Sequence, residues 1–401
     1  MEKATVKDLG NIKGKRIFLR ADLNVPQDEK GNITDDTRIR ESLATLNYCI
    51  EKGARVIMCS HLGRPKSKDD KVWSLKPVAE RLSKLMPKVK ITMAVDCIGS
   101  GVEKQVKALK DGEVLMLENI RFYKEETDND PAFAKKLAKL ADYFVNDAFG
   151  AAHRAHASTE GIAKYLPSVA GFLMEKEIRI LGTAIKNPKR PLTVIIGGKK
   201  VADKIPVIDN LLNIAQTVII GGGMTYTFIK AQGGKVGNSI VDDSRLDYCL
   251  NVIKTAKEKG IKLVLPVDTV AADKFAADAN TKVVDVFKIP DGWEGLDLGP
   301  KSIENVKKAV KDSGTIIWGG PVGVFEFEKF ANGTREVAKA ITETKAVTIV
   351  GGGDSAAAVV GLGFGGKFTH ISTGGGASLE LLEGKTLPGV AALLDAGAKI
   401  K

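Results

Sequence analysis

The chain has little of what marks several large protein classes. Among its 401 residues are only four cysteines (Cys49, Cys59, Cys97, Cys249), with no CxxC or Cys/His spacing. That excludes a disulfide scaffold and a zinc site, and leaves buried free thiols in a reducing compartment. Histidines are as scarce: His61, His153, His156 and His370. The HRAH run at 153–156 lacks the glutamate and spacing of HExxH, and no Ser–His–Asp arrangement is apparent. No apolar run approaches the ~18 residues that span a bilayer, and the MEKATVKDLG start lacks a signal-peptide core. A soluble, cytoplasmic protein without membrane contact is expected. Aromatic residues are 6% and are not interleaved with basic ones, so the net charge of +11 lacks the stacking groups of a nucleic-acid binder. Lysines such as Lys104, Lys107 and Lys110 read as solvated helix faces, and the surplus charge suits a polyanionic small substrate.

What is present is glycine, 42 residues against 14 prolines, and a repeated alternation of strand and helix. The length suggests two domains. Strands are expected at Arg16–Val25, Arg55–Ser60, Lys90–Val95, Glu113–Leu117 and Ala141–Val145. Between them lie a helix capped by Asp35-Asp36-Thr37, with Ile39, Leu43, Leu46 and Ile50 on one stripe, and another capped by Ser74. Such alternation predicts a parallel sheet with helices on both faces. Asp22, Asn24, His61, Arg64, Arg121 and Arg154 all fall just past strand C-termini, the edge where such sheets bind ligands. Arginines converging there describe an anion pocket, because guanidinium groups meet carboxylate and phosphate oxygens in pairs.

Gly171–Asn187 carries Met174, Ile178, Leu181 and Ile185 on one stripe and reads as a connecting helix, with Gly182 a weak point. A second strand series follows: Leu192–Ile196, Thr217–Ile220, Lys262–Val267, Thr315–Trp318, Val347–Val350 and His370–Ser372. Most end in glycine clusters, a floor where backbone meets a nucleotide closely. VIIGGKKVADKIPVI (Val194–Ile208) puts Gly197-Gly198 and three lysines at the start of a helix, a phosphate cradle by its N–H groups and charge. There is no GxxxxGK[ST], and no GxGxxG in a first βα turn, so neither a P-loop ATPase nor a dinucleotide dehydrogenase is indicated. Asp354 is placed to anchor Mg²⁺ or to cap a helix.

Eight segments in order resemble the phosphoglycerate kinase family, bacterial type: RADLNVP (20–26), SHLGRP (60–65), ENIRF (118–122), NDAFGAAHRAHAS (146–158), GGKKVADKI (197–205), GGGMTYTF (221–228), WGGPVGVFE (318–326) and GGGDSAAA (351–358). The resemblance implies two Rossmann-like α/β domains with parallel sheets: 1–170 plus a returning tail 387–401 for 3-phosphoglycerate or 1,3-bisphosphoglycerate, and 188–386 for MgADP or MgATP. An interdomain helix at 171–187 and a hinge would join them. It implies substrate contacts from Asp22, Asn24, Arg38, His61, Leu62, Gly63, Arg64, Arg121 and Arg154. Nucleotide contacts would come from Gly198, Lys200, Lys204, Gly221, Gly222, Glu326, Gly352, Gly353, Asp354 and Ser355, with Asp354 linked to Mg²⁺. Arg38, Lys200 and the backbone at Gly375 and Gly376 would hold the phosphoryl group in flight. A monomer follows from the same likeness.

Such transfer needs no general base, and no strong candidate for one is visible. Lys199, Ala202 and Gly319 depart from the family pattern, which usually has a small residue, a serine and an asparagine there. A two-site binding protein that has lost turnover is the alternative these departures raise.

Overall fold

The computed structural model describes residues 2–400. The chain divides into two compact units, one running through Arg179 and resuming at Thr386, the other Ile180–Lys385. The division falls inside a single helix, Phe172–Lys186, which continues unbroken through Gly182.

In the first unit, β1 (Arg16–Arg20), β2 (Arg55–Cys59), β3 (Ile91–Met93), β4 (Val114–Met116), β5 (Tyr143–Asn146) and β6 (Ser168–Ala170) form one sheet ordered β3-β4-β2-β1-β5-β6. Every neighbouring pair is parallel. The strands are nearly continuous apolar runs because helices cover both faces. Ile17, Leu19, Val56, Met58, Val114 and Val145 join Ile39, Leu46 and Cys49 of helix Thr37–Glu51 in one buried cluster. Each such aliphatic side chain contributes ~1.5–3 kcal/mol.

Several local expectations shift. The first strand stops at Arg20, five residues early, because the next backbone groups turn to side chains: Leu23 N–H donates to Ser60 Oγ (2.9 Å) and Asn24 N–H to Asp22 Oδ1 (3.2 Å). Asp36 caps nothing with its side chain; it receives Arg40 Nε (2.8 Å) and Arg81 Nη2 (2.6 Å), while Asp35 Oδ1 accepts Thr37 N–H (2.7 Å). Ser74 accepts Lys76 N–H (3.2 Å) and donates to Glu118 Oε2 (2.7 Å). β6, three residues long, is too short to show as a periodic pattern. The C-terminal segment returns to this unit: Leu394 N–H donates to Ser168 O (2.9 Å) and Ala4 N–H to Leu394 O (2.9 Å).

The second unit holds β7 (Leu192–Ile196), β8 (Thr217–Ile220), β9 (Lys235–Val236), β10 (Lys262–Val264), β11 (Asp268–Ala272), β12 (Thr281–Asp285), β13 (Lys288–Ile289), β14 (Glu294–Leu298), β15 (Thr315–Gly319), β16 (Val347–Gly351) and β17 (His370–Ile371). The main sheet, β10-β8-β7-β15-β16-β17, is again parallel throughout. An antiparallel sheet β12-β11-β14 and a two-stranded pair β13-β9 are additions the sequence reading lacked. The expected strand Lys262–Val267 ends at Val264, because Pro266 has no N–H to give a ladder. All four cysteines are buried free thiols, as expected.

In each main sheet the chain order reverses beside the strand that starts the unit, at β1/β5 and at β7/β15. Those switch points open crevices at the strand C-termini.

Candidate active site

The first crevice gathers most of the anion-pocket residues. Asp22 and Asn24 follow β1, His61 follows β2, Arg121 follows β4, and Arg38 lies in the first turn of helix Thr37–Glu51. Arg38 Nη1 donates to Asp22 Oδ2. Asn24 Oδ1 accepts Gly63 N–H (2.7 Å), and Gly63 O accepts Arg121 Nη1 (3.0 Å). Leu62 is held on both backbone groups by Asn119, through its N–H (3.3 Å) and its O (2.7 Å). Gly63 has φ +57° and lies so close to Trp73 that a Cβ there would be 2.1 Å from the indole. A Cβ at Gly150 would be 2.3 Å from Asp22 Oδ2, so the loop after β5 closes tightly on the same carboxylate.

Electrostatics follow from this crowding. Burial alone would raise the Asp22 carboxyl, but the Arg38 guanidinium beside it brings it down to about 2. Arg121 is lowered to about 10, by burial first and then by Arg20 and Arg154. Arg154 and Arg64 are exposed, Arg154 near enough to depress its neighbours and Arg64 on the loop after His61. The pocket thus holds mutually repelling cations around the buried carboxylate of Asp22.

In the second unit a cleft of about 520 Å³ is lined by Gly198, Lys199, Gly222, Phe275, Glu294, Glu326 and Asp354, among others. The glycine clusters turn out to do two different jobs. Gly197, Gly221, Gly222 and Gly320 pack loop on loop: a Cβ at Gly197 would lie 2.1 Å from Pro321 O, and one at Gly222 2.8 Å from Gly198 N. Gly353 and Gly375 meet nothing within 4 Å and are open, while a Cβ at buried Gly319 would make only ordinary contacts beyond 3.7 Å. The expected uniform glycine floor is therefore partly a packing device.

Helix Ile205–Leu211 begins later than expected, so Lys199 and Lys200 lie on the loop before it and Lys204 at its start. Lys199 lines the cleft, whereas Lys200 is exposed outside the residues that line it. Burial lowers the Lys204 amine, opposed by Asp354, Asp203 and Glu383. Gly352 (φ +94°) is the cap residue of helix Gly353–Gly361, so Asp354 sits inside the first turn with an exposed carboxylate rather than capping it. Ser355 Oγ accepts Gly320 N–H (2.5 Å), which ties the helix start to the loop after β15 and leaves the first-turn N–H groups and the hydroxyl's own proton as donors. Gly375 (φ +51°) and Gly376 begin helix Gly376–Leu382.

Three groups of functional residues escaped the sequence. Arg20, Glu126 and Ser158 form a fully buried polar chain behind the anion pocket; the signal was RADLNVP itself, read for Asp22 and Asn24 alone. Glu294, on β14 of the unread antiparallel sheet, and Phe275, on the loop joining its β11 and β12, line the cleft. Asp297, on β14, accepts Gly333 N–H (2.8 Å) and stands 2.1 Å from where a Gly323 Cβ would be, propping the loop that carries Glu326.

Burial raises the Asp297 carboxyl to about 7. A raised folded pKa means its stabilisation is complete below ~4, the unfolded value, and is lost as pH rises through about 7. Asp297→Asn keeps the oxygen for Gly333 and removes the buried charge. The variant's thermal midpoint, relative to the parent, is expected to be higher at pH 8 than at pH 5; equal differences at both would show that the carboxyl does not titrate in this range.

A guanidinium-lined pocket on one parallel α/β unit and a glycine-walled cleft with amine and carboxylate on the other define a phosphotransferase acting on a small anionic substrate. The phosphoglycerate kinase family model matches residues 6–385, and the chain belongs to that family. Cytosolic phosphoglycerate kinase of Triticum aestivum is 58% identical over 400 residues, covering 98% of this chain and 99% of the relative. The Synechococcus elongatus enzyme is 55% identical over 404 residues, covering 99% and 100%. Among solved structures, phosphoglycerate kinase from Coxiella burnetii superposes with a TM-score of 0.88 at 41% identity, covering 97% of this chain and 98% of that one. The chain is accordingly a glycolytic phosphotransferase with a nucleotide substrate, and the alternative of a binding protein without turnover is not favoured.

Proposed function

We propose that the first unit's pocket binds 3-phosphoglycerate or its acyl phosphate, and the second unit's cleft binds ADP or ATP with Mg²⁺. The observation that carries this is the Asp22–Arg38 pair set among His61, Arg121 and Arg154, an array of donors that only an anionic ligand completes. In the ATP-forming direction a β-phosphate oxygen of ADP bonds to the phosphorus of 1,3-bisphosphoglycerate. The bond from phosphorus to the acyl oxygen breaks, and its electron pair stays on the carboxylate of 3-phosphoglycerate. Nucleophile and leaving group are already anionic, so the protein's task is to place them and to stabilise charge on the moving group. Asp22 and Asn24 orient the acid, His61, Arg64, Arg121 and Arg154 hold its anionic end, and Arg38 reaches the carboxyl being released. Glu326 contacts the ribose side, Lys204 and the N–H groups at Gly352–Ser355 hold nucleotide phosphate, and Lys200 with Gly375 and Gly376 meets the transferred group.

Asp354 suits Mg²⁺, which takes one or two carboxylates plus phosphate oxygens rather than an all-protein cage. Among the described residues no cluster of three or more metal-binding side chains exists, so the ion is one that arrives with the nucleotide. Bound there, Mg²⁺ supplies charge neutralisation on the phosphate oxygens. The protein is proposed to act as a cytoplasmic monomer; among the described residues no helix is long and apolar enough to cross a membrane. A coupled assay with 3-phosphoglycerate and MgATP tests the whole reading, and absence of turnover by folded protein would overturn it.

Gly319 offers a direct test of the nucleotide site. A Cβ there would meet Gly351 O at 3.8 Å and Leu379 Cδ2 at 3.9 Å, ordinary contacts. Gly319→Asn is therefore expected to fold with a thermal midpoint within about 2 °C of the parent. Its added amide should tighten nucleotide by about 1 kcal/mol, a several-fold lower KM for ATP. A KM unchanged or raised would place the side chain away from the ligand.

A further inference from the structure

Arg20 lies behind the anion pocket and has no place in the roles assigned above. We propose that Arg20 is a positioning residue that fixes His61 as the neutral tautomer with its proton on Nε2, so that His61 meets the acid as an uncharged hydrogen-bond donor. The inference rests on reading this pocket as the 3-phosphoglycerate site.

The argument is one of hydrogen-bond direction. Arg20 is 0% exposed, which sets it apart from Arg38, Arg64, Arg121 and Arg154. Its Nε donates to Ser158 Oγ (2.9 Å), its Nη1 to Ala21 O, and its Nη2 lies 3.1 Å from His61 Nδ1. A guanidinium has donors only and keeps its proton in proteins, so Nδ1 must be the acceptor. In a neutral imidazole the proton then resides on Nε2. The far end of the chain fixes Arg20 itself. Ser158 Oγ donates to Glu126 Oε1 (2.6 Å) and Ser158 N–H to Glu126 Oε2 (2.8 Å), so the hydroxyl proton is committed and its lone pairs face Arg20. Glu126, Ser158 and Arg20 are all 0% exposed, and His61 is 5% exposed.

Forming the imidazolium would aim a second N–H at the Arg20 N–H and break this contact. The groups facing the ring agree: burial first, then Arg20, Arg121 and Arg38, oppose its protonation, and Asp22 alone favours it. With Nδ1 held as an acceptor by Arg20, the uncharged ring is the form this pocket favours. The pocket's positive charge then comes from guanidinium groups alone, while His61 contributes direction without adding to their repulsion.

The test is the side-chain ¹⁵N spectrum of the histidine-labelled full-length protein without substrate, with His61 assigned through His61→Gln. The expected result is a single Nε2–H tautomer that does not titrate between about pH 5.5 and 8. An Nδ1–H tautomer, or an imidazolium in that range, would overturn the proposal. Arg20→Met should give mixed tautomers, and Ser158→Ala, a smaller change that is easier to fold around, should move the spectrum the same way. Persistence of the pure Nε2–H form in both variants would show that Arg20 does not set it. In variants with a changed tautomer, KM for 3-phosphoglycerate should rise about tenfold with KM for ATP unchanged; an unaltered acid KM would remove the donor role. Because the spectra need no turnover, a silent coupled assay would fault the functional reading without touching the tautomer result.

Discussion

The Arg38→Ala enzyme is expected to turn over about a hundred- to a thousand-fold more slowly at saturating substrates. Two effects act together. The first is loss of a guanidinium at the carboxyl group that gains charge as phosphoryl transfer completes, and that loss falls on kcat. The second concerns Asp22, which is buried and kept ionised chiefly by Arg38. Removing one partner of a buried pair leaves an uncompensated charge, at a cost of ~3 kcal/mol. Asp22, freed of its partner, then takes up a proton at higher pH. With a depressed folded pKa, the stabilisation from Asp22 in the parent is present above ~4 and lost as pH falls through about 2. In Arg38→Ala burial acts without Arg38 to oppose it and raises the folded value, so this acid-side loss should shrink or reverse. The variant's deficit relative to the parent should be largest near neutrality and narrow as pH falls through ~4. KM for 3-phosphoglycerate should rise about tenfold, and KM for ATP should hold. Arg38→Lys should recover the pH profile better than kcat, because an ammonium restores charge without the planar fork. A kcat within a few-fold of the parent in Arg38→Ala would assign Arg38 to binding alone.

How far the molecule could be read from its sequence depended on the kind of signal. The parallel sheets were legible because strands buried on both faces are apolar runs, and RIFLR, RVIMC and TVII stand out between amphipathic helices. The antiparallel sheet was not. Thr281–Asp285 alternates in exposure with Thr281, Val283 and Asp285 outward and Lys282 and Val284 half-buried, and Glu294–Leu298 contains Glu, Gly and Asp, so neither reads as a core strand. Phe275 and Glu294 were lost with that sheet. Polar residues past strand ends were legible as a set, since the topology sends strand C-termini to one edge. Arg20, the last residue of β1, looks like any charged end, and only the fold shows it wholly enclosed. Glycines were the subtler case. The sequence shows where they cluster, but Gly197 and Gly320 are there because two loops touch, which no one-dimensional pattern records.

The lysines of 199–204 should separate by kinetics. Lys200→Ala is expected to lose about a hundred-fold or more in kcat with nucleotide KM nearly unchanged, the signature of a contact made chiefly in transit. Lys204→Ala should do the reverse, raising nucleotide KM about tenfold with a smaller change in kcat. The structure gives a reason for the difference. Lys204 is partly buried at a helix start, its Cε 3.5 Å from where a Gly198 Cβ would be, with Asp354 opposing the depression of its amine. It is set in place before substrate binds, which suits a ground-state contact. Lys200 is exposed, on a loop anchored by Met224 N–H to Gly198 O (3.1 Å) and Lys204 N–H to Val201 O (2.8 Å). The backbone is anchored and the side chain is exposed, so its charge is not committed to a partner on the loop before the transferred group arrives. Lys199 complicates the assignment, because it lines the nucleotide cleft and Lys200 does not. Lys199→Ala is therefore the necessary control, expected to shift nucleotide KM a few-fold and kcat by no more than about two-fold. If the large kcat loss appears in Lys199→Ala and not in Lys200→Ala, the two lysines have exchanged roles in this chain.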